Sequence, residues 1–188
     1  MKIKQVEQIL KSEKTIIIYE GPNCQWLGTR SAIYPAYNLP LLDEKSLFAM
    51  FDIPQDDKSK YYFQEDGVLG RIHLNDVDPD EKIIECRDMF WIYSNGRTLE
   101  PLKTSKGILF IDCQYLKPFT ADKSSIELYE RTTSSGATYI AVKSGFMLAG
   151  IIYPYNPINE GFVEQCEQLY RLSKNELYKL DREEQREE

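Results

Sequence analysis

The residues of this chain that could carry acid–base chemistry centre on His73, which is the single histidine among 188 residues. His73 lies two positions after Arg71, inside an apolar run over residues 68–74 that predicts a strand. Alternate residues of a strand share one face, so the imidazole and the guanidinium would lie together. Such a pair could transfer a proton and bind a phosphate, as a metal-independent ribonuclease requires, with Arg87 as a second phosphate ligand. The alternative is a surface histidine without a chemical role.

Cys24 is the candidate nucleophile, because it follows Gly21-Pro22-Asn23 in a predicted loop. A loop cysteine attacks a substrate when a nearby base lowers the pKa of its thiol. In papain-like proteases a tryptophan follows the catalytic cysteine directly, whereas here Gln25 separates Cys24 from Trp26. A Cys24–His73 dyad is therefore a hypothesis without a matching motif.

The acidic run Asp76-Val77-Asp78-Pro79-Asp80-Glu81 resembles the start of a calcium loop. An EF-hand loop needs glycine at its sixth position and glutamate at its twelfth, where this chain has Glu81 and Arg87. One histidine excludes a histidine-rich zinc site, and the four cysteines form no CxxC pair. The sequence also contains no glycine-rich phosphate loop, zinc-protease motif or serine-hydrolase motif. We therefore expect the acidic run to be a solvated turn between strands, with no metal and no cofactor. The alternative is that two of its carboxylates hold magnesium loosely.

A hairpin around Asn95-Gly96 is the more distinctive surface candidate, because this dipeptide suits a tight turn between residues 90–93 and 97–99. Its strands and the segment after them combine aromatic with basic side chains. Such side chains stack on unpaired bases and contact phosphates, and they also form hot spots of protein interfaces. The alternative is that the aromatic rings face the core. The predicted contact residues are Arg87, Trp91, Tyr93, Arg97, Lys103 and Lys106.

Residues 24–40 form a second candidate contact region, because glycine and prolines interrupt them and predict a long irregular connection. Long connections in compact domains are often functional. The contact residues predicted here are Trp26, Arg30 and Tyr34. The alternative is that the aromatic rings anchor the connection in the core.

The predicted helices and strands must position these residues. The first two elements are a short helix over residues 3–12 and a strand of β-branched residues over residues 15–19. Asp43 predicts the N-cap of a second helix over residues 44–51. Hairpins follow, one of them with Asp66-Gly67 as the turn before residues 68–74.

The last part of the chain reads as a three-stranded meander followed by a long helix. The strands are residues 125–132, 138–143 and 146–153, and Asn156 with Pro157 predicts the start of the helix. The predicted class is α+β: an antiparallel sheet of hairpins and a C-terminal meander, with short N-terminal helices and a long C-terminal helix.

Net charge and chain length limit the number of domains and the classes of partner that we expect. The chain has 23 basic and 30 acidic residues and a net charge of −7, of which residues 181–188 carry −3 and residues 1–180 carry −4. We expect one domain over residues 1–180 and a frayed, charged tail over 181–188. The acidity excludes a broadly basic nucleic-acid binder, but it leaves room for a local RNA contact.

The distribution of apolar residues and of cysteines indicates the cellular compartment of the protein. The longest apolar stretch, residues 137–153, is interrupted by Lys143-Ser144-Gly145, so it is too short for a membrane-spanning helix of about 20 residues. The N-terminus shows no apolar core of a signal peptide, and the cysteines show no disulfide framework. We expect a cytoplasmic protein that does not contact membranes.

The motifs Trp26-x-Gly28, Ala32-Ile33-Tyr34-Pro35, Leu39-Pro40 and Phe51-Asp52-Ile53-Pro54 resemble small uncharacterised proteins of phages and prophages from AT-rich bacteria. The resemblance covers about the first third of the chain. Some proteins of this group are anti-CRISPR inhibitors of type II Cas9, which block DNA or guide-RNA loading or damage the guide RNA. The resemblance implies Cas9 or its guide RNA as a partner, and it implies no catalytic residue.

Three hypotheses follow. The first is a binding protein that docks on a nucleic-acid enzyme or its RNA through Trp91, Tyr93, Arg97 and Lys103. The second is a ribonuclease or another phosphodiester-acting enzyme that uses His73. The third is a structural or regulatory homo-oligomer that pairs through its aromatic surface.

Overall fold

The computed structural model describes residues 2–65, 72–84, 92–94 and 96–187. The chain divides into two compact units, Met1–Tyr155 and Asn156–Glu188. Helices and a mixed sheet coexist in the first unit, which confirms the α+β class. The single domain over residues 1–180 with a frayed tail stays a prediction.

The first unit contains an eight-stranded sheet and a three-stranded sheet. Along the large sheet the strands follow the order β4-β1-β2-β3-β11-β10-β9-β5, and along the small sheet β6-β7-β8. The strands are β1 (Thr15–Glu20), β2 (Gln25–Gly28), β3 (Ala32–Pro35), β4 (Tyr62–Gln64), β5 (Lys82–Ile83), β6 (Ile92–Ser94), β7 (Arg97–Thr104), β8 (Gly107–Asp112), β9 (Ile126–Thr132), β10 (Thr138–Ser144) and β11 (Met147–Ile152).

The sheet is not purely antiparallel, contrary to the prediction. β4 pairs in parallel with β1, with Thr15 opposite Tyr62, whereas the other described strand pairs are antiparallel. Residues 72–74, the end of the second strand predicted for the hairpin with residues 61–63, form no strand. The rest of that hairpin stays a prediction. Asp66-Gly67 and the rest of residues 66–71 lie outside the described residues. The meander β9-β10-β11 forms as expected.

The prediction of an irregular connection over residues 24–40 is wrong as well, because β2 and β3 form a hairpin there. Its turn depends on Thr29, a buried residue whose backbone N–H donates to the carbonyl of Ala32 at 2.8 Å. The Thr29 hydroxyl accepts a hydrogen bond from the backbone N–H of Ser31 at 3.0 Å. A threonine side chain thus completes the tight turn, without the glycine or asparagine that usually predicts one.

Alternate residues of β1 face two different cores. Ile16 and Ile18 join the larger core, which also receives apolar side chains from α1 (Ile3–Glu13), α2 (Glu44–Met50) and a 3₁₀ stretch over Cys113–Ser125. Ile17 and Tyr19 join a smaller core with Trp26 and Tyr139. Because the middle of the sheet is buried on both faces, β1, β3 and β10 are nearly continuous buried runs, whereas the edge strands β4 and β5 are half-buried or exposed.

Side-chain caps mark the starts of α2 and α3, whereas Lys2, at the start of α1, forms none. Asp43 accepts a hydrogen bond from the backbone N–H of Ser46 at 2.8 Å, which confirms the predicted cap of α2. The second unit consists mainly of α3 (Glu160–Glu187). Its cap is Asn159, whose Oδ1 accepts from the backbone N–H of Phe162 at 3.0 Å, and not the predicted Asn156, which bonds the N–H of Ile158.

Candidate interaction surface

The structure describes Tyr93, Arg97, Lys103 and Lys106 of the predicted aromatic–basic hairpin, whereas Arg71, Arg87 and Trp91 lie outside the described residues. The hairpin itself forms, with β6 antiparallel to β7 and Gly96 at a φ of +77°. Positive φ at this position is what a tight turn requires, and glycine adopts it without strain.

Tyr93 and Arg97 project from opposite faces of the small sheet. Tyr93 lies opposite Thr98 in the register, and Arg97 lies opposite Ser94. Residues that are paired across strands share a face, and neighbours along a strand do not. The sequence predicted one contact surface that includes both Tyr93 and Arg97. Tyr93 is well exposed, but because it lies on the opposite face from Arg97, the two side chains cannot form one continuous surface.

Arg97 and Lys103 share the other face. The Arg97 guanidinium lies 3.8 Å from the buried carboxylate of Asp112, which neutralises part of its charge. Lys103 is exposed and pairs with the partly exposed Ile108. Six residues along a strand separate the two cations by about 20 Å. Between them on the same face, Leu99 and Pro101 are buried. Arg97 and Lys103 are therefore two separated cations at the ends of a covered face.

The turn between β7 and β8 docks onto the large sheet. The backbone N–H of Ser105 donates to the buried carboxylate of Glu130 in β9 at 2.7 Å, and the Ser105 hydroxyl donates to the same group. The ammonium of Lys106 donates to the carbonyl of Gly136 in the β9–β10 turn. Lys106 thus makes an internal contact that attaches this turn to the rest of the first unit.

Trp26 and Tyr34 are buried, so the prediction that they contact a partner is wrong. Both lie on central strands, and the Tyr34 hydroxyl donates to the backbone carbonyl of Tyr115 at 2.9 Å. Burial raises the pKa of Tyr34 well above its usual value. Arg30 is exposed, with its guanidinium 5.0 Å from the centre of the Tyr62 ring. Of these three residues, only Arg30 is placed to touch a partner.

A buried ion cluster lies on the face of the large sheet that also contributes Tyr139 to the smaller core. Arg131 on β9 is fully buried, and its Nη2 lies 2.5 Å from Oε2 of Glu81. Lys143 on β10 contacts Oε1 of the same carboxylate at 2.7 Å. The Lys143 ammonium also lies 4.7 Å from the centre of the Tyr129 ring. Two cations and one carboxylate are paired here with little access to water.

This cluster holds the segment over residues 72–81 against the sheet. Arg131 donates to the backbone carbonyls of Asn75 at 2.8 Å and Asp76 at 3.1 Å. The backbone N–H of His73 donates to the Tyr139 hydroxyl at 3.3 Å. His73 is therefore positioned by its backbone on a non-strand segment, and its exposed imidazole has no recorded hydrogen bond to a described residue.

Cys24 lines a small pocket of about 300 Å³. Tyr37, Asn23 and Asn38 contribute polar groups to the pocket wall. Burial raises the pKa of the Cys24 thiol, although a hydrogen bond from the Ala36 backbone opposes the shift. The thiol is therefore neutral at pH 7 and a weak nucleophile. No hydrogen bond between Cys24 and His73 is recorded among the described residues, so the geometry does not support the dyad.

The acidic run is engaged in structural contacts. Oδ1 of Asp76 accepts from the backbone N–H of Leu148 at 2.8 Å, and Oδ1 of Asp78 accepts from that of Asp80 at 3.0 Å. Glu81 pairs with the two buried cations. Within the described part of the chain, no group of three or more histidine, cysteine, aspartate or glutamate residues is placed to hold a metal ion.

The turn between β10 and β11 forms at the predicted break, Ser144-Gly145, but it also includes Phe146. The predicted strand starts at Phe146, whereas β11 begins at Met147, and the Phe146 side chain is 90% exposed. Met147 is also exposed, and Gly145 adopts a φ of +59° that suits the turn. A large aromatic residue directly after Ser-Gly was the available signal. We call Gly145, Phe146 and Met147 the apolar tip.

Comparison with known proteins yields no relative: no protein family matches the chain, and neither a curated protein nor a solved structure does. None of the helices in the described ranges is both long and apolar enough to cross a membrane.

Proposed function

We propose that this chain is a small cytoplasmic binding protein that docks on another protein through the apolar tip. The single observation that carries the proposal is the Phe146 side chain, which is 90% exposed at the end of a hairpin. Large aromatic side chains dominate the energetics of protein interfaces when a partner pocket buries them.

The hairpin that carries the apolar tip is anchored in the interior of the large sheet, which favours binding. β10 and β11 are interior strands of the large sheet, with neighbours on both sides. The residues of β10 from Tyr139 to Lys143 are all buried. A side chain that projects from an ordered element loses little conformational freedom when it binds.

We infer that the partner is a type II Cas9 bound to its guide RNA, as the phage-protein resemblance implies. The net charge of −7 supports this choice, because the nucleic-acid channel of such nucleases is strongly positive. Complementary charge accelerates encounter and adds specificity. An acidic chain with an exposed apolar anchor fits a basic protein surface that has a hydrophobic pocket.

The test measures DNA cleavage by a purified type II Cas9–guide RNA complex in the presence of this chain. The parent chain should inhibit cleavage, and Phe146→Ser should weaken inhibition at least about tenfold, which corresponds to about 1.4 kcal/mol. Leu41→Ser is the matched control, because Leu41 is 86% exposed on a different loop. It should inhibit as the parent does.

Two outcomes would overturn parts of this proposal. If the parent chain neither binds nor inhibits the complex, Cas9 is the wrong partner. If Phe146→Ser and Leu41→Ser both inhibit as the parent does, the apolar tip is the wrong surface.

Direct RNA contact is the second candidate, favoured by Arg97 and Lys103 on one face. The guide RNA alone is therefore a separate arm of the assay. Binding in that arm should fall steeply with added salt if these cations contact phosphates.

A further inference from the structure

A pocket of about 370 Å³ lies between α2 and a short 3₁₀ helix over Gln55–Lys60. Ligand pockets in proteins begin at about this size. Among the described residues that line it, three side chains are apolar, two are cationic, one is an amide and none is acidic. They are Lys45, Phe48, Ala49, Ile53, Gln55 and Lys58. We call this feature the α2 pocket.

The apolar wall of the α2 pocket is fixed by packing. Phe48 and Ile53 are buried, and the backbone N–H of Ile53 donates to the Phe48 carbonyl at 2.9 Å. The Phe48 ring meets the Tyr61 ring edge-on, with 5.8 Å between the ring centres, and the Phe63 ring lies 5.9 Å away. A site whose wall is already ordered loses little conformational freedom when a ligand binds.

The two lysines of the α2 pocket differ in exposure. Lys58 is half-buried, with its ammonium 5.0 Å from the centre of the Phe48 ring, whereas Lys45 is exposed on α2. Among the described residues, no ion pair to either lysine is recorded, although Lys60 on the same 3₁₀ helix lies 2.5 Å from Asp57. The α2 pocket therefore keeps positive charge beside apolar surface.

Positive charge beside apolar surface selects an anion that has an apolar body. A cation that is partly withdrawn from water attracts an anion more strongly than a fully solvated cation does, and Lys58 meets this condition. A hydrocarbon chain gains free energy when it leaves water for the wall formed by Ala49 and Ile53. Neither a purely polar anion nor an uncharged apolar molecule uses both parts of the pocket.

We propose that the α2 pocket binds a small carboxylate that has an aliphatic chain. The carboxylate lies between the ammonium groups of Lys45 and Lys58, and the Gln55 amide donates a further hydrogen bond to it. The chain lies on Ala49 and Ile53. This site is separate from the apolar tip, so the proposal does not depend on the identity of a protein partner.

The first test is a titration of the full chain with octanoate, followed by the backbone amide signals in ¹H–¹⁵N NMR spectra. Octanoate should shift the signals of Ala49, Ile53 and Gln55 saturably, with a Kd of about 1 mM or below. Acetate lacks the chain and 1-octanol lacks the charge, so each should bind at least about tenfold more weakly. Octylammonium should not bind, because the two lysines repel it.

A charge-removing variant tests the role of Lys58. Lys58→Met keeps most of the aliphatic side chain but removes the ammonium, and it should weaken octanoate binding about fivefold or more. The same variant should not weaken binding of 1-octanol, which a general disruption of the pocket would do. Lys60→Met is the matched control, because Lys60 belongs to the same 3₁₀ helix but does not line the pocket. It should bind octanoate as the parent does.

Three results would overturn the proposal. Octanoate could cause no saturable shift at Ala49, Ile53 and Gln55 up to about 10 mM, ten times the expected Kd. The shifts could instead centre on the apolar tip or on α3, which would indicate adsorption to exposed apolar side chains. Lys60→Met could weaken binding as much as Lys58→Met, which would mean that only the overall charge matters. Circular dichroism of each variant checks that the fold is retained.

Discussion

Arg131 shows how a single buried residue positions groups that lie far from it in sequence. Its guanidinium binds Glu81 and the carbonyls of Asn75 and Asp76, which lie 50, 56 and 55 residues earlier in the chain. Burying a cation is unfavourable unless all its donors are paired, and here each partner comes from the same segment. The position of His73 is a consequence of these backbone contacts.

We predict that Arg131→Met lowers the free energy of unfolding by about 3–5 kcal/mol. The substitution leaves three backbone carbonyls and the Glu81 carboxylate without their principal donor. Urea unfolding followed by tryptophan fluorescence measures the change. Arg171→Met is the control, because its 3.6 Å ion pair with Glu167 is exposed and should contribute less than about 0.5 kcal/mol. If Arg131→Met lowers the free energy of unfolding by less than about 1 kcal/mol, the ion cluster does not contribute substantially to stability.

Residue types alone could not separate surface from core among the aromatic candidates. Trp26 and Tyr34 are the residues that a partner-binding site favours, and both are buried. Tyrosine and tryptophan suit interiors and interfaces equally, because they combine a large apolar ring with one polar group. Only strand order distinguishes the two settings, since β2 and β3 lie inside the sheet.

The hairpin of β2 and β3 is the element on which the large sheet depends. It connects β1 on one side to β11 on the other. Gly28 ends β2, and a Cβ atom there would lie 2.7 Å from Cα of Ile33 and closer still to the carbonyl oxygen of Ala32. The close approach of two backbones at this point therefore requires glycine.

Gly28→Ala should destabilise the protein by about 1–3 kcal/mol or more, because the added methyl group meets backbone that cannot move aside. Thermal unfolding monitored by circular dichroism measures the effect. Gly161→Ala is the control: its nearest neighbour would be the Asn159 side chain at 3.4 Å, and alanine favours a helix. If the thermal unfolding midpoint of Gly28→Ala equals that of the parent, the hairpin accommodates the methyl group without losing stability, which would contradict this prediction.

For the whole first unit, buried tyrosine hydroxyls link stability to alkaline pH. Burial raises the pKa of Tyr19 from 10.0 to about 12. Burial and a hydrogen bond to Glu13 raise the pKa of Tyr115, and burial raises that of Tyr34. A group with a raised pKa in the folded state contributes stability below its unfolded pKa and loses it as pH rises toward the folded value.

The free energy of unfolding should therefore stay nearly level up to about pH 9 and fall steadily between pH 10 and 12. In that range the unfolded chain releases phenolic protons that the folded chain retains. Tyr19→Phe should make the decrease in the free energy of unfolding between pH 10 and 12 smaller. Tyr93→Phe should leave that decrease unchanged, because the Tyr93 side chain is exposed. Urea midpoints at half-unit pH steps measure the slope. A level profile to pH 12 would contradict the role of the buried hydroxyls.

The sequence by itself determined the features that depend on local patterns. Apolar periodicity predicted α1, the β-branched run predicted β1, Asp43 predicted the start of α2, and Asn95-Gly96 predicted the turn between β6 and β7. These features depend on propensity, capping and turn chemistry within a few residues, and for that reason a single sequence contains them.

The tertiary structure alone decided which faces are covered and which residues meet. Strand pairing places Tyr93 and Arg97 on opposite faces, buries Trp26 and Tyr34, and leaves Phe146 at an exposed tip. The physical reason is that pairing partners lie tens of residues apart, and shifting a strand by one residue exchanges its buried and exposed faces. Long-range register therefore determines which side chains can act at a surface.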